Sequence, residues 1–131
     1  MKTTAKSELA KRVAKLPSQT FMFICTDGPK TAPFRQEYLF AHLDHIEANN
    51  EAYRVAGPFR DDASGKILGS FFLVKADTKD EAWAVMKGDP YISSDMYETV
   101  TCQHFMPACG DWMGGVIWDQ DEIRENMPKY T

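Results

Sequence analysis

The sequence predicts an α+β fold of the ferredoxin-like kind: one antiparallel sheet in the order β-α-β-β-α-β, with both helices on a single face. Three observations predict it. Four segments are dense in strand formers. Two amphipathic helical segments follow the first and third of them. A run of turn residues, Asp61-Asp62-Ala63-Ser64-Gly65, joins the second to the third. The chain has 131 residues and a net charge of −4, the size of one domain. A domain of that length buries about two-thirds of its unfolded surface and needs no covalent staples. With 44% hydrophobic and 12% aromatic residues the composition is that of a globular protein.

The elements follow in order. Residues 5–16 place Leu9, Val13 and Leu16 on one face and Lys6, Lys11, Arg12 and Lys15 elsewhere, which predicts a short amphipathic helix ended by Pro17. Residues 20–26, TFMFICT, predict a strand broken by Asp27-Gly28-Pro29. From Pro33 to about Asn50 the pattern is helical, with Leu39, His42, Leu43 and Ile46 at i, i+3, i+4 and i+7. Residues 52–57 predict a short strand and 67–75, ILGSFFLVK, a longer one. Thr78 caps a helix over about 79–88, with Ala82, Val85 and Met86 inward, and Gly88-Asp89-Pro90 stops it. Residues 98–106 predict the last clear strand. The organisation is thus a helical extension over 1–19, a domain over 20–106 and a tail over 107–131 that packs on the domain or on a dimer partner.

Several classes are excluded at this stage. The acidic balance disfavours a nucleic-acid partner, since phosphate binding needs clustered Lys and Arg. No apolar run reaches the length of a membrane span, and the first 19 residues lack the apolar middle of a secretory signal. Cys25, Cys102 and Cys109 are odd in number and contain no CxxC. They fit neither a disulfide framework nor a zinc knuckle, and a reducing cytoplasm is the simplest setting.

The strands predict an assembly. Phe21, Phe23 and Cys25 point one way and Met22 and Ile24 the other; Phe71 and Leu73 oppose Phe72 and Val74. A sheet with one wet face alternates with polar residues instead. Two helices cover one face, so a second copy packed face to face is expected on the other, giving a homodimer. The tail around Trp112–Trp118 is available to seal it. The leading helix and the tail could also cover that face within one chain.

Ala41-His42-Leu43, Ala56-Gly57-Pro58, Asp61, Gly65, Gly69-Ser70 and Asp89-Pro90-Tyr91, in this order and spacing, resemble the YciI-like family of the dimeric α+β-barrel superfamily, related to muconolactone isomerases. The match covers about residues 20–106. The resemblance implies a barrel-forming dimer and a pocket holding a histidine and an aspartate as an acid–base pair, at positions His42 and Asp61. It also implies a basic position at Arg35. One relative is associated with chloride elimination from a chlorinated hydroxyquinol. Two features depart from the family: Leu39 stands where an arginine is common, and the leading segment and the tail after Pro107 have no counterpart in short members.

Read as chemistry, His42 faces the sheet partly desolvated, where an imidazole moves protons near neutral pH. It would equally serve as a core histidine bonded to a backbone carbonyl. Asp61 could orient the imidazole, or simply make its turn, and Asp62 is a near-equal rival. Arg35 could clamp a substrate carboxylate or phenolate. Ser70, beside the small Gly69, has room for a ligand. Asp89 stops a helix, and Tyr91 either packs down or offers a hydroxyl to a pocket; with Arg35 and Ser70 the two are expected to bind the substrate. His42, His45 and His104 do not converge as a metal set would, and no motif calls for a cofactor, so none is expected. Phe21, Phe23, Phe71, Phe72 and Tyr91 suit a flat apolar ligand. The expected function is isomerisation or elimination on a small cyclic or aromatic acid. A non-catalytic module binding a small molecule in the same pocket is the alternative.

Overall fold

The computed structural model describes residues 9–127. These separate into two compact units, one spanning Ser18–Phe105 and a smaller one built from the segments before and after it.

In the larger unit the order is β1 (Gln19–Asp27), α1 (Thr31–Ala48), a 3-10 turn (Asn50–Ala52), β2 (Tyr53–Arg60), β3 (Ile67–Ala76), α2 (Lys79–Lys87), α3 (Pro90–Ser93) and β4 (Tyr97–Phe105). The sheet runs β2-β3-β1-β4, all pairs antiparallel. This is the α+β, ferredoxin-like architecture that the periodicity predicts. The β2–β3 hairpin closes through Gly65, whose φ of +73° is a left-handed value that side chains rarely adopt. The short helix α3 is not among the predicted elements. Asp89 and Pro90 start it rather than merely ending α2: the Asp89 side chain accepts from the Tyr91 N–H, and proline occupies the first helical turn.

The core lies between the sheet and its helices. Phe21, Phe23 and Cys25 of β1 and Phe72 and Val74 of β3 are buried there, under Ala82 and Met86 of α2. Phe23 sits between Phe72 and Cys102 in register and meets Trp83 edge-on at 4.9 Å. Thr78 caps α2 by accepting from the Glu81 N–H at 3.1 Å.

Helix α1 corrects the predicted stripe. The residues packed on the core are Phe34, Tyr38 and Ile46, whereas Leu39 and Leu43 are 37% and 40% exposed. The rotation is set at the N-terminal end of the helix. The Thr31 hydroxyl donates to the Met96 carbonyl at 2.7 Å, and Arg35 forms a forked pair with Asp27. Both fastenings turn the aromatic residues, not the leucines, toward the sheet. His42 lies on the inward stripe in either phase.

The opposite face of the sheet carries Met22, Ile24, Val55, Phe71 and Leu73, from strands whose other side chains fill the core. The β4 residues on that face, Thr99, Thr101 and Gln103, are polar.

In the smaller unit, β5 (Cys109–Gly110) and β6 (Gly115–Val116) form a hairpin followed by α4 (Gln120–Glu125). The predicted leading helix is corrected where it is described: residues 10–17 are not helical, while residues 5–8 lie outside the described chain. The backbone there pairs with β6 instead. The Val13 N–H donates to the Val116 carbonyl and the Val116 N–H to the Lys11 carbonyl, each at 2.8 Å, and Arg12 pairs with Asp119. These bonds replace the internal ladder a short basic helix would have made. Gly115 permits them, since a Cβ there would stand 1.9 Å from the Lys11 carbonyl oxygen.

Candidate functional site

The site is organised around one carboxylate. Asp89 is fully buried, and its placement follows from its role as the α3 N-cap. Oδ1 accepts from the Tyr91 N–H at 2.9 Å. The remaining acceptor capacity faces α1, where His42 Nδ1 stands 2.9 Å from Oδ1 and 2.8 Å from Oδ2. An ionised carboxylate only accepts, so Nδ1 carries the hydrogen and the lone pair of the neutral ring is on Nε2. The His42 side chain retains 14% of its exposure. Its ring lies flat on that of Tyr91, with centroids 3.8 Å apart and planes 6° apart.

Further polar groups surround this pair. Arg35, seven residues before His42, donates from both terminal nitrogens to Asp27, at 2.7 and 2.8 Å. That bond is the main reason its guanidinium holds its proton more tightly than usual. The Tyr91 hydroxyl donates to the Arg35 carbonyl at 3.2 Å. The Tyr97 hydroxyl donates to Ser70 Oγ at 2.8 Å in the buried interior, and burial pushes its pKa up. Tyr97 also lines a hollow of about 300 Å³ with Gly28, Pro29, Lys30, Asp95 and Glu98. Cys25 is buried in the core, its thiol pushed up to about 12, first by burial and then by the charges of Asp89 and Asp27. On the far flank His45 Nε2 meets the Tyr53 hydroxyl at 2.8 Å. Burial, then the Asp89 charge, raises the Tyr53 pKa.

The structure therefore brings together His42, Asp89 and Tyr91, with Arg35 linked through its carbonyl and Ser70 through Tyr97. It does not bring Asp61 to His42. The Asp61 carboxylate is spent inside its own hairpin turn, accepting from the Ser64 N–H at 2.9 Å and the Ser64 hydroxyl at 2.8 Å. Those bonds hold its pKa low, and Asp61 and Asp62 are both exposed. The carboxylate expected from the hairpin is supplied by the α2–α3 junction. The Asp-Pro pair was the available signal, since an N-cap followed by proline marks a helix start. The room expected beside Ser70 is filled: a Cβ on Gly69 would stand 2.3 Å from the Phe59 ring. Arg35, Ser70, Asp89 and Tyr91, expected to hold substrate, each have an internal partner instead: Asp27, Tyr97, His42 and the Arg35 carbonyl. Asp27 and Tyr97 carry no signal in the sequence, because their partners lie on other elements and no local spacing announces them. Among the described residues no three His, Cys, Asp or Glu side chains gather as a metal set would.

Comparison with known proteins bears on the family and the fold. A sequence profile described as the YCII-related domain matches residues 20–106. A 5-chloro-2-hydroxyhydroquinone dehydrochlorinase from Burkholderia phenoliruptrix AC1100, solved in complex with 2,5-dihydroxybenzoquinone, superposes with a TM-score of 0.61 at 22% identity, covering 70% of this chain and 96% of that one. A hypothetical Arabidopsis thaliana protein solved in solution gives 0.42 at 12% identity, covering 75% and 95%. No curated protein matches by sequence. The first superposition agrees with the fold described above.

Proposed function

The chain belongs to the YCII-related domain family, and from that membership we propose that it is a small proton-transfer enzyme using His42 and Asp89 on a small cyclic or aromatic acid. The observation that carries the reading is the His42 Nδ1 contact with both oxygens of the fully buried Asp89. A carboxylate in that position fixes the imidazole tautomer and stabilises the imidazolium that forms when Nε2 takes a proton. The ring then returns the proton to a carbon, completing an isomerisation, or keeps it while a leaving group departs with its bonding electrons, completing an elimination. Neither course needs an oxidant or a reductant. The solved relative that carries a dehydrochlorinase name and holds a dihydroxybenzoquinone supports an oxygenated six-membered ring as the substrate class.

The test uses 5-chloro-2-hydroxyhydroquinone with a chloride-release readout, and 2,5-dihydroxybenzoquinone in a binding titration. Chloride release by the parent protein, cut about 10²–10⁴-fold in His42→Ala with quinone binding retained, is the expected result. Full turnover in His42→Ala ends the proposal. The alternative, a non-catalytic binding module, is favoured by the internal partners of Arg35 and Ser70, which leave His42 as the polar group toward a ligand. It gives no turnover in any variant and weaker quinone binding in His42→Ala.

The same reading includes a homodimer built on the apolar sheet face of Met22, Ile24, Phe71 and Leu73, and no nucleic-acid or membrane partner. No helix among the described residues is long and apolar enough to cross a membrane. Three free thiols, Cys25, Cys102 and Cys109, suit a reducing cytoplasm.

A further inference from the structure

Asp89 alone does not determine where the reacting nitrogen of His42 points. The Cβ tether and the two Asp89 oxygens hold the Nδ1 edge of the ring, but neither presses on its faces, which leaves a soft tilt that carries Nε2 sideways. The plane needs a second constraint. Tyr91 supplies one, with its ring parallel to the imidazole within 6° at a centroid distance of 3.8 Å. We propose that Tyr91 is the positioning residue of the site, fixing the plane of the His42 ring so that Nε2 presents in one direction. The proposal rests on the reading of His42 as the proton-transferring group.

Tyr91 is itself held at three points. Its N–H donates to Asp89 Oδ1. Its hydroxyl donates to the Arg35 carbonyl, two helical turns before His42 on α1. Its ring meets Tyr97 edge-on at 6.4 Å and 85°. Tyr97 is in turn tied to the sheet by its hydrogen bond to Ser70. A continuous prop therefore runs from β3 through Ser70, Tyr97 and Tyr91 to the imidazole, and Tyr91 is 4% exposed within it. The Tyr91 hydroxyl, expected from the sequence to face a ligand, already has an internal acceptor. The residue's contribution is the face of its ring. Because Asp89 and Tyr91 both belong to the start of α3, the orienting carboxylate and the stacking ring move as one piece.

The experiment needs no substrate. Long-range proton–nitrogen correlation spectra of the full chain report which His42 nitrogen is protonated and how fast its hydrogen exchanges with water. The parent should show a hydrogen on Nδ1 and nuclear Overhauser contacts from the His42 ring to the Tyr91 ring. Tyr91→Leu should speed exchange of the Nδ1 hydrogen at least tenfold, while Tyr91→Phe, which keeps the ring, stays within about twofold of the parent. Unchanged exchange in Tyr91→Leu overturns the proposal, as does Tyr91→Phe behaving like Tyr91→Leu. If the leucine variant does not fold, the parent spectrum still decides: absent ring-to-ring contacts overturn it, and present contacts with rescue in Tyr91→Phe uphold it. A failed quinone titration sinks the functional reading but leaves these spectra unaffected, so the two failures are distinguishable.

Discussion

At the scale of single residues, Asp89 performs two tasks with one side chain. It caps α3 through the Tyr91 N–H and orients His42. Removing it strips the cap, about 1 kcal/mol on its own, and leaves a buried N–H and an imidazole without their acceptor, which adds a comparable cost. Asp89→Ala is expected to lower stability by about 2–3 kcal/mol in urea denaturation. Asp61→Ala removes only a bond set within an exposed turn and is expected to leave the urea midpoint close to the parent's. A reversal of that order would mean that the hairpin carboxylate, not the helix cap, is the one the fold depends on. His42 was legible in the sequence because its place on the inward stripe survives either phase of the helix. Its partner was less so, since an aspartate after a helix reads as a stop until the proline behind it is taken as the first residue of a new turn.

At the scale of elements, strand order and hairpin chemistry follow from local pattern. The two central strands are dense in strand formers and pair in register, and turn residues occupy the β2–β3 connection. Helix rotation does not follow as readily. Helix α1 has apolar residues around most of its circumference: Phe34, Tyr38 and Ile46 face the core, while Leu39, Phe40 and Leu43 are exposed. With apolar residues on both sides, periodicity supports two phases. The choice is made by bonds to distant residues, Thr31 to Met96 and Arg35 to Asp27. The consequence is measurable in three variants. Leu39→Gln and Leu43→Gln should each shift stability by no more than about 0.5 kcal/mol, whereas Tyr38→Ala should cost about 1–3 kcal/mol. Chemical denaturation of the three proteins tests the rotation directly, and a large loss from either leucine variant would contradict it. The leading segment failed the same kind of reading for a different reason. Its amphipathic pattern is real, but its backbone bonds are made with β6, a partner about a hundred residues away that no local period can reveal.

At the scale of the whole molecule, two properties follow from what is buried. The sheet face carrying Ile24 and Phe71 is the proposed dimer surface; Ile24→Lys should therefore convert a dimer to a monomer in sedimentation, and an unchanged mass would remove that surface from consideration. The second property is the response to alkali. Burial raises the pKa values of Cys25, Tyr53 and Tyr97 above their ordinary values of 9.0, 10.0 and 10.0, Cys25 to about 12. In each case the folded protein keeps a proton that the unfolded chain releases. Between the ordinary value and the raised one the unfolded state binds fewer protons, so stability falls as pH rises. Below pH 9 the three groups are protonated in both states and contribute no slope. The melting temperature should therefore hold steady from neutrality to about pH 8.5, decline from about pH 9 and fall faster above pH 10 as the tyrosines join. Tyr97→Phe cannot lose that proton in either state. Its melting temperature should lie below the parent's at pH 7, where the bond to Ser70 is missing, and the gap should narrow as pH rises past 10. Parallel pH profiles for the two proteins would mean that Tyr97 titrates alike in both states and that the interior beside Ser70 is wetter than the geometry describes.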